Sequence, residues 1–280
     1  MSVERIEYTS WEGQKSSRLR RIYAIVKKIF RDKLSSKGIL LLLIIGMMIT
    51  HVLPIIGNSV VPHEALTSEM MVKTIPGGGG YLTSGLFILF SLLFASVVCS
   101  DLISRDLQDN SFVLYFSRPI RTEDYLLGKL GGAFTVMSLF CFLPPIAFSL
   151  AVIATQTGGD YIVSLRVLGD TLIVGIFTTF ILTSFGVMIS CLTKKTSYAG
   201  VGAFASFFVL SVVGGVFSGF DPNWQVIDPF NLLNYSYDLI YGFDLPSEVS
   251  PILFSFALLS ILAIPTTVLY YRVYRRSAGK

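Results

Sequence analysis

The chain has 280 residues, of which 52% are hydrophobic and only 14% charged, with a net charge of +4 and a mean hydropathy of +0.67. A soluble domain carries roughly 25% charged residues, so this composition cannot cover the surface of a water-soluble globule. It excludes a soluble enzyme, a typical nucleic-acid binder and a disordered chain, which needs low hydrophobicity, and leaves a polytopic membrane protein.

Residues 1–37 are too polar and too charged for a cleaved signal peptide. Within them, 18–37 reads as an amphipathic helix. Leu19, Ile22, Val26, Ile29 and Phe30 recur at spacings of three and four, and Arg20, Arg21, Lys27, Lys28 and Arg31 fill much of the rest. A basic amphipathic helix that abuts a span is expected in the headgroup layer.

Six stretches then lack Asp, Glu, Lys and Arg: 38–63, 81–100, 130–159, 171–193, 196–220 and 249–271. Each is long enough for a spanning helix, which needs about 20 apolar residues. None alternates as barrel strands do. The expected fold is all-α, a single six-helix transmembrane domain over 38–271 preceded by an interfacial helix and followed by a tail at 272–280. Lys and Arg set its orientation. Ten precede residue 38, four lie in 101–129, two are Lys194 and Lys195, and four follow residue 271, which puts 20 of 22 on one side. Only Lys73 and Arg166 fall on the other, among carboxylates that include Glu64, Asp160 and Asp228. By the positive-inside rule both termini are cytoplasmic, in a cell membrane.

The connections carry the remaining signals. In the cytoplasmic loop 101–127, charges crowd 101–109, an aromatic-apolar run follows at 112–116, and Pro119 breaks the chain. Thr122 is the expected N-cap of the next helix, with Glu123 and Asp124 in its first turn. Leaving Phe112, Tyr115 and Phe116 in water is costly, so lipid headgroups or a partner protein should cover them. Pro144 and Pro145 in the third span predict a kink, with the freed carbonyls turned into the bundle. The outer segment 58–80 ends in four glycines and reads as a linker rather than a phosphate cradle. The outer segment 220–250 has five acidic residues, no Lys or Arg, and seven aromatics, among them Trp224 and Tyr237. It is expected to form short re-entrant helices that dip into the outer leaflet, with an acidic substrate-collecting surface as the weaker reading.

Catalytic and metal-binding patterns are sparse. Met47, Met48 and His51 share a helix and read as packing rather than copper ligands. Cys99, Cys141 and Cys191, an odd number in apolar runs, read as buried small hydrophobes. Arg166 and Asp170, four apart, are a possible ion pair at the outer interface or a pair on a translocation path. No acid stands near the middle of any span, which disfavours a proton-coupled carrier. Gly128-Lys129 echoes a P-loop, but Glu123 and Leu130 occupy the positions where Gly and Ser or Thr are required. A transporter of this kind needs an energising partner.

From Arg105 to Lys129 the chain resembles the membrane subunits of ABC-2 type (type V) ABC transporters. Asp106 and Asp109 match the family's acids, and Asn110-Ser111-Phe112 stands in place of Gly-Thr-Leu. Ser117-Arg118-Pro119 matches Ser-x-Pro, and Gly128-Lys129 matches the Gly-Lys that opens span three. The resemblance covers nearly the whole chain, including the amphipathic helix and the six spans. It implies an exporter permease that pairs with a second permease subunit, identical or paralogous, and docks on two ATPase subunits. ATP and Mg2+ would then bind the ATPases and no cofactor this chain. The resemblance further implies that Arg105, Asp106, Asp109, Phe112, Tyr115 and Phe116 form the coupling contact. A relative's variant of the same scheme transmits mechanical work to an extracytoplasmic assembly factor. A membrane scaffold or immunity protein, and a gradient-driven carrier, stand as alternatives from other classes.

Overall fold

Ser17 opens the first helix: its hydroxyl accepts the Arg20 N–H at 3.4 Å. This is the first residue described in the computed structural model, which covers residues 17–53, 56, 67–72, 80–112, 120–155 and 161–277. Helix α1 (Arg18–Leu34) ends where the Ser35 hydroxyl donates to the Arg31 carbonyl at 2.7 Å. The chain then bends by 77° into α2 (Lys37–Met47), which continues as a π-helical turn over Met48–Val52. A short α3 (Ser68–Val72) precedes α4 (Gly85–Cys99) and α5 (Ser104–Gln108). Next come α6 (Thr122–Cys141), α7 (Leu143–Thr155), α8 (Tyr161–Leu192) and α9 (Thr196–Ser218). A 3-10 turn (Pro222–Ile227), α10 (Pro229–Ile240) and α11 (Pro251–Ser277) complete the order, with no strand among the described residues.

Five stretches are long and apolar enough to cross a membrane: Gly85–Gln108, Thr122–Ala154, Tyr161–Leu192, Thr196–Ser218 and Pro251–Arg276. Arg18–Leu34 and Lys37–Val52, bent by 77° at their junction, together pass the same test and make a sixth when taken as one broken span. Inside them, many hydroxyls bond the carbonyl one turn back, as a medium without water favours. Ser91 donates to the Phe87 carbonyl at 2.7 Å and Thr178 to Val174 at 2.8 Å. Burial divides the spans. The apolar windows of α4 and α8 are 61% buried, whereas those of α9 and α11 are 17% buried. α8 is therefore the central post, and α9 and α11 turn Val201, Val212, Ile252 and Phe256 outward. The three cysteines are free and buried.

The third span breaks at Phe142, two residues before Pro144, so its two halves are α6 and α7. Pro144 and Pro145 lack the N–H groups that would bond the carbonyls of Phe140 and Cys141. Both carbonyls face the bundle interior. His51 of the π-turn lies in electrostatic contact with the Phe140 carbonyl, and Gly175 of α8 lies against that of Cys141. A Cβ built on Gly175 would stand 2.7 Å from the Phe142 ring, so α8 can pass this close only because glycine is there. His51 is a packing residue: Nδ1 meets the Tyr81 hydroxyl at 2.5 Å, and the ring is surrounded by Tyr81, Phe87 and Phe140.

The segment after α9 folds back into the bundle. Asp221 and Asp228 cap the 3-10 turn and α10, accepting the N–H groups of Asn223 and Phe230 at 2.9 Å each. The backbone at Asp228 packs on Gly214, where a Cβ would approach to 2.7 Å. Phe230 then reaches Phe207, halfway along α9. The hydroxyls of Tyr237 and Tyr241 meet those of Thr178 and Thr171 on α8, each at 2.8 Å. One sequence expectation needs correction. Thr122 is the first helical residue of α6, not its cap. Arg121 holds the cap position and makes no side-chain capping bond, while Glu123 and Asp124 do occupy the first turn.

Candidate functional site: the charged end of the bundle

Three basic segments converge at one end of the bundle. Lys33 of α1 pairs with Asp101, which follows α4. Ser190, near the end of α8, binds the turn before α5, accepting the N–H groups of Ile103 and Ser104 at 3.1 and 3.0 Å. Arg272 and Arg276 of α11 lie within electrostatic reach of Cys191. The 101–112 connection is thus seated on α1, α6 and α8.

Glycines decide how α1 sits. A Cβ on Gly128 would stand 2.8 Å from Cβ of Ile25, and one on Gly132 2.8 Å from Cβ of Ile29. With no side chain on this face of α6, α1 lies directly on its backbone and buries Ile29 at 7% exposure. Charge pairs lock the arrangement. Arg18 Nε donates to Asp124 at 2.5 Å and Arg21 approaches the second Asp124 oxygen at 3.4 Å, while Arg18 also reaches Glu123 at 3.1 Å. The Asp124 carboxylate is fully buried, so two guanidiniums stand where water would otherwise solvate it. Its hydrogen bond, then its charge, raise the Arg18 pKa above the usual value.

The second lock lies under α5. Lys129 Nζ sits 2.7 Å from Asp106 and donates to the Leu102 carbonyl at 2.6 Å. Asp106 also accepts the Tyr125 hydroxyl at 2.6 Å. Its helix ends on Asn110, whose φ of 52° lies in the left-handed region. The Ser111 N–H returns to the Asp106 carbonyl at 2.9 Å, closing a Schellman-type cap. The resemblance places glycine here. Asparagine is among the few other residues that adopt this conformation readily, so the departure from Gly-Thr-Leu keeps the turn.

The residues implicated from sequence divide into two groups. Arg105 and Asp109 face outward, with side chains 71% and 56% exposed, and lie 3.8 Å apart. Asp106 and Phe112 face inward: Asp106 holds Lys129 and Tyr125, and Phe112 packs its ring on Tyr125 at 5.5 Å with 8% exposure. Phe112 therefore anchors this loop to its own chain. Tyr115 and Phe116 lie outside the described residues. At the other end of α8, Arg166 and Asp170 lie one turn apart in electrostatic contact, but no N···O contact within 4.0 Å joins them. Arg166 instead reaches toward Gly242 at the end of α10.

Sequence reading missed the pairings of Asp124 with Arg18 and Arg21 and of Lys33 with Asp101. The acids had an ordinary explanation in the first turn of a helix and in a charged loop. The available signal was the excess of bases on α1, matched by acids at the near ends of two later spans.

These features define a multi-pass membrane permease with charges gathered and paired at one end of its helix bundle. The chain belongs to the ABC-2 family transporter proteins, whose family pattern it matches over residues 23–277. It is thus a membrane component of an ABC transporter, a family whose permeases work with an ABC ATPase. No curated protein matches it.

Proposed function

We propose that this chain is the permease subunit of an ATP-driven exporter, with its charged end and both termini in the cytoplasm and a separate ATPase docked on the 101–127 connection. Two such subunits, identical or paralogous, would form the transport path. ATP and Mg2+ bind the ATPases. The observation that carries the reading is the bracing of α5. Asp106–Lys129, Lys33–Asp101 and Ser190 tie this turn to α6, α1 and α8 at once. A push on it cannot be absorbed locally and is passed to three helices together. Arg105 and Asp109 face away from the bundle and are free to orient a partner. Tyr115 and Phe116 are the aromatic anchors that this reading assigns to the ATPase groove.

The test is co-purification with the ATPase. Arg105→Glu combined with Tyr115→Ala should abolish association and the permease-dependent part of ATP hydrolysis, while leaving the permease folded in the membrane. A hot-spot aromatic contributes on the order of 2 kcal/mol to docking. Unchanged association and hydrolysis would refute the coupling role.

A further inference from the structure

The bases of this protein fall into two populations. Arg18, Arg21, Lys33 and Lys129 are matched to carboxylates. Arg272, Arg275 and Arg276, at the end of α11, have no carboxylate within 4.0 Å among the described residues. They stand at i, i+3 and i+4, on one face of the helix. With Tyr271 they line a pocket of about 360 Å3. Lys194 and Lys195 lie in the linker at the same end, and Arg272 and Arg276 are within electrostatic reach of Cys191 beside it.

We propose that this pocket binds the phosphate of an anionic phospholipid, with the acyl chains lying along the outer face of α11. Three observations select this occupant. The cluster has a net positive charge that nothing in the described chain neutralises. It is presented from a fixed element, because Leu269 and Val273, in the same two turns of α11, are 1% exposed. It also sits beside a surface suited to lipid tails: Ile264 and Tyr271, on the same side of α11 as Arg275, are each 56% exposed, the ring at the level where aromatics meet headgroups. Topology alone would require basic residues near this end, but not their convergence on one pocket. Guanidiniums bind phosphate oxygens in pairs, and bases clustered at the cytoplasmic end of a spanning helix are suited to lipid headgroups. Arg275 already lies over the Tyr271 ring at 5.5 Å, which leaves its N–H edge available.

The full-length permease, purified in detergent and mixed with phosphatidylglycerol or phosphatidylcholine, is examined by native mass spectrometry. Wild type should retain phosphatidylglycerol in clear preference. Each base at such a surface contributes about fivefold, so Arg272→Gln/Arg275→Gln/Arg276→Gln should cut retention by about a hundredfold, to the phosphatidylcholine level. Arg20→Gln/Lys27→Gln/Arg31→Gln on α1 should retain it within about threefold, since those bases line no such pocket. If the glutamine variant fails to insert, the Arg→Lys triple variant keeps the charge but loses the paired donors, and its preference should still fall severalfold. Equal retention by wild type and these variants overturns the proposal, as does equal retention of the two lipids. Displacement of the lipid by millimolar inorganic phosphate would make this a site for free anions, and loss of ATPase binding with lipid retention unchanged would make it a protein-docking surface. Either result overturns it.

Discussion

Lys129 and Asp106 illustrate how much a single pair controls. Both side chains are nearly buried, at 9% and 13% exposure, and Asp106 also holds the Tyr125 hydroxyl. Removing one partner of such a pair strands the other charge in a poor solvent, which typically costs 3–5 kcal/mol. Asp106→Asn should therefore destabilise the permease by about 3 kcal/mol, read as a clear fall in Tm in detergent. Adding Lys129→Met to Asp106→Asn should restore much of the loss, because the stranded charge is gone. A double variant no more stable than the single one would mean that the pair's electrostatics are not what holds the loop. The Gly-Lys signature was legible at this position, and so were the acids. What could not be read was that Lys129 and Asp106 meet, because 22 intervening residues separate them and only the packing of α5 under α6 brings them together.

Among the elements, α1 departs most from its sequence reading. Its periodicity and basic face were plain, and Leu19 and Tyr23 do remain exposed, at 78% and 63%. Its inner face, however, lies on the glycine face of α6 rather than on lipid. Gly132→Leu should push α1 off α6, since even a Cβ comes within 2.8 Å of Ile29. Trypsin should then cleave after Lys27 and Lys28 severalfold faster, with membrane insertion unchanged. Unaltered cleavage would show that α1 is held without this contact. The broken third span was legible from Pro144-Pro145. The interruption falls at Phe142 because the helix must restart where proline can occupy its first turn. The aromatic, acidic character of 220–250 was legible, but not the register in which it folds back on the bundle. That is set by Gly214 beneath Asp228 and by two tyrosine hydroxyls seeking partners on α8.

The whole molecule gathers its bases at one end, and the proposed orientation follows from that. The three native cysteines are buried, so they give little labelling background. A cysteine at Ser247, exposed beyond α10, should react with an impermeant thiol reagent in intact cells. One at Ser197, exposed at the basic end, should react only after lysis. The reverse pattern would invert the topology and remove the docking surface from the ATPase. The all-α membrane fold, the positions of the spans and their common basic side were determined by the sequence alone. Hydropathy and charge are properties of short stretches, and a bilayer sorts each stretch independently of the others. Tertiary structure alone decided that Phe112 anchors its own loop, that Asp124 holds α1, and that three arginines of α11 share one pocket while Arg166 and Asp170 stop short of a close ion pair. Such outcomes depend on which helix faces which, and that is settled by the shape of glycine surfaces and by burial of the last unpaired charges, neither of which has a period in the sequence.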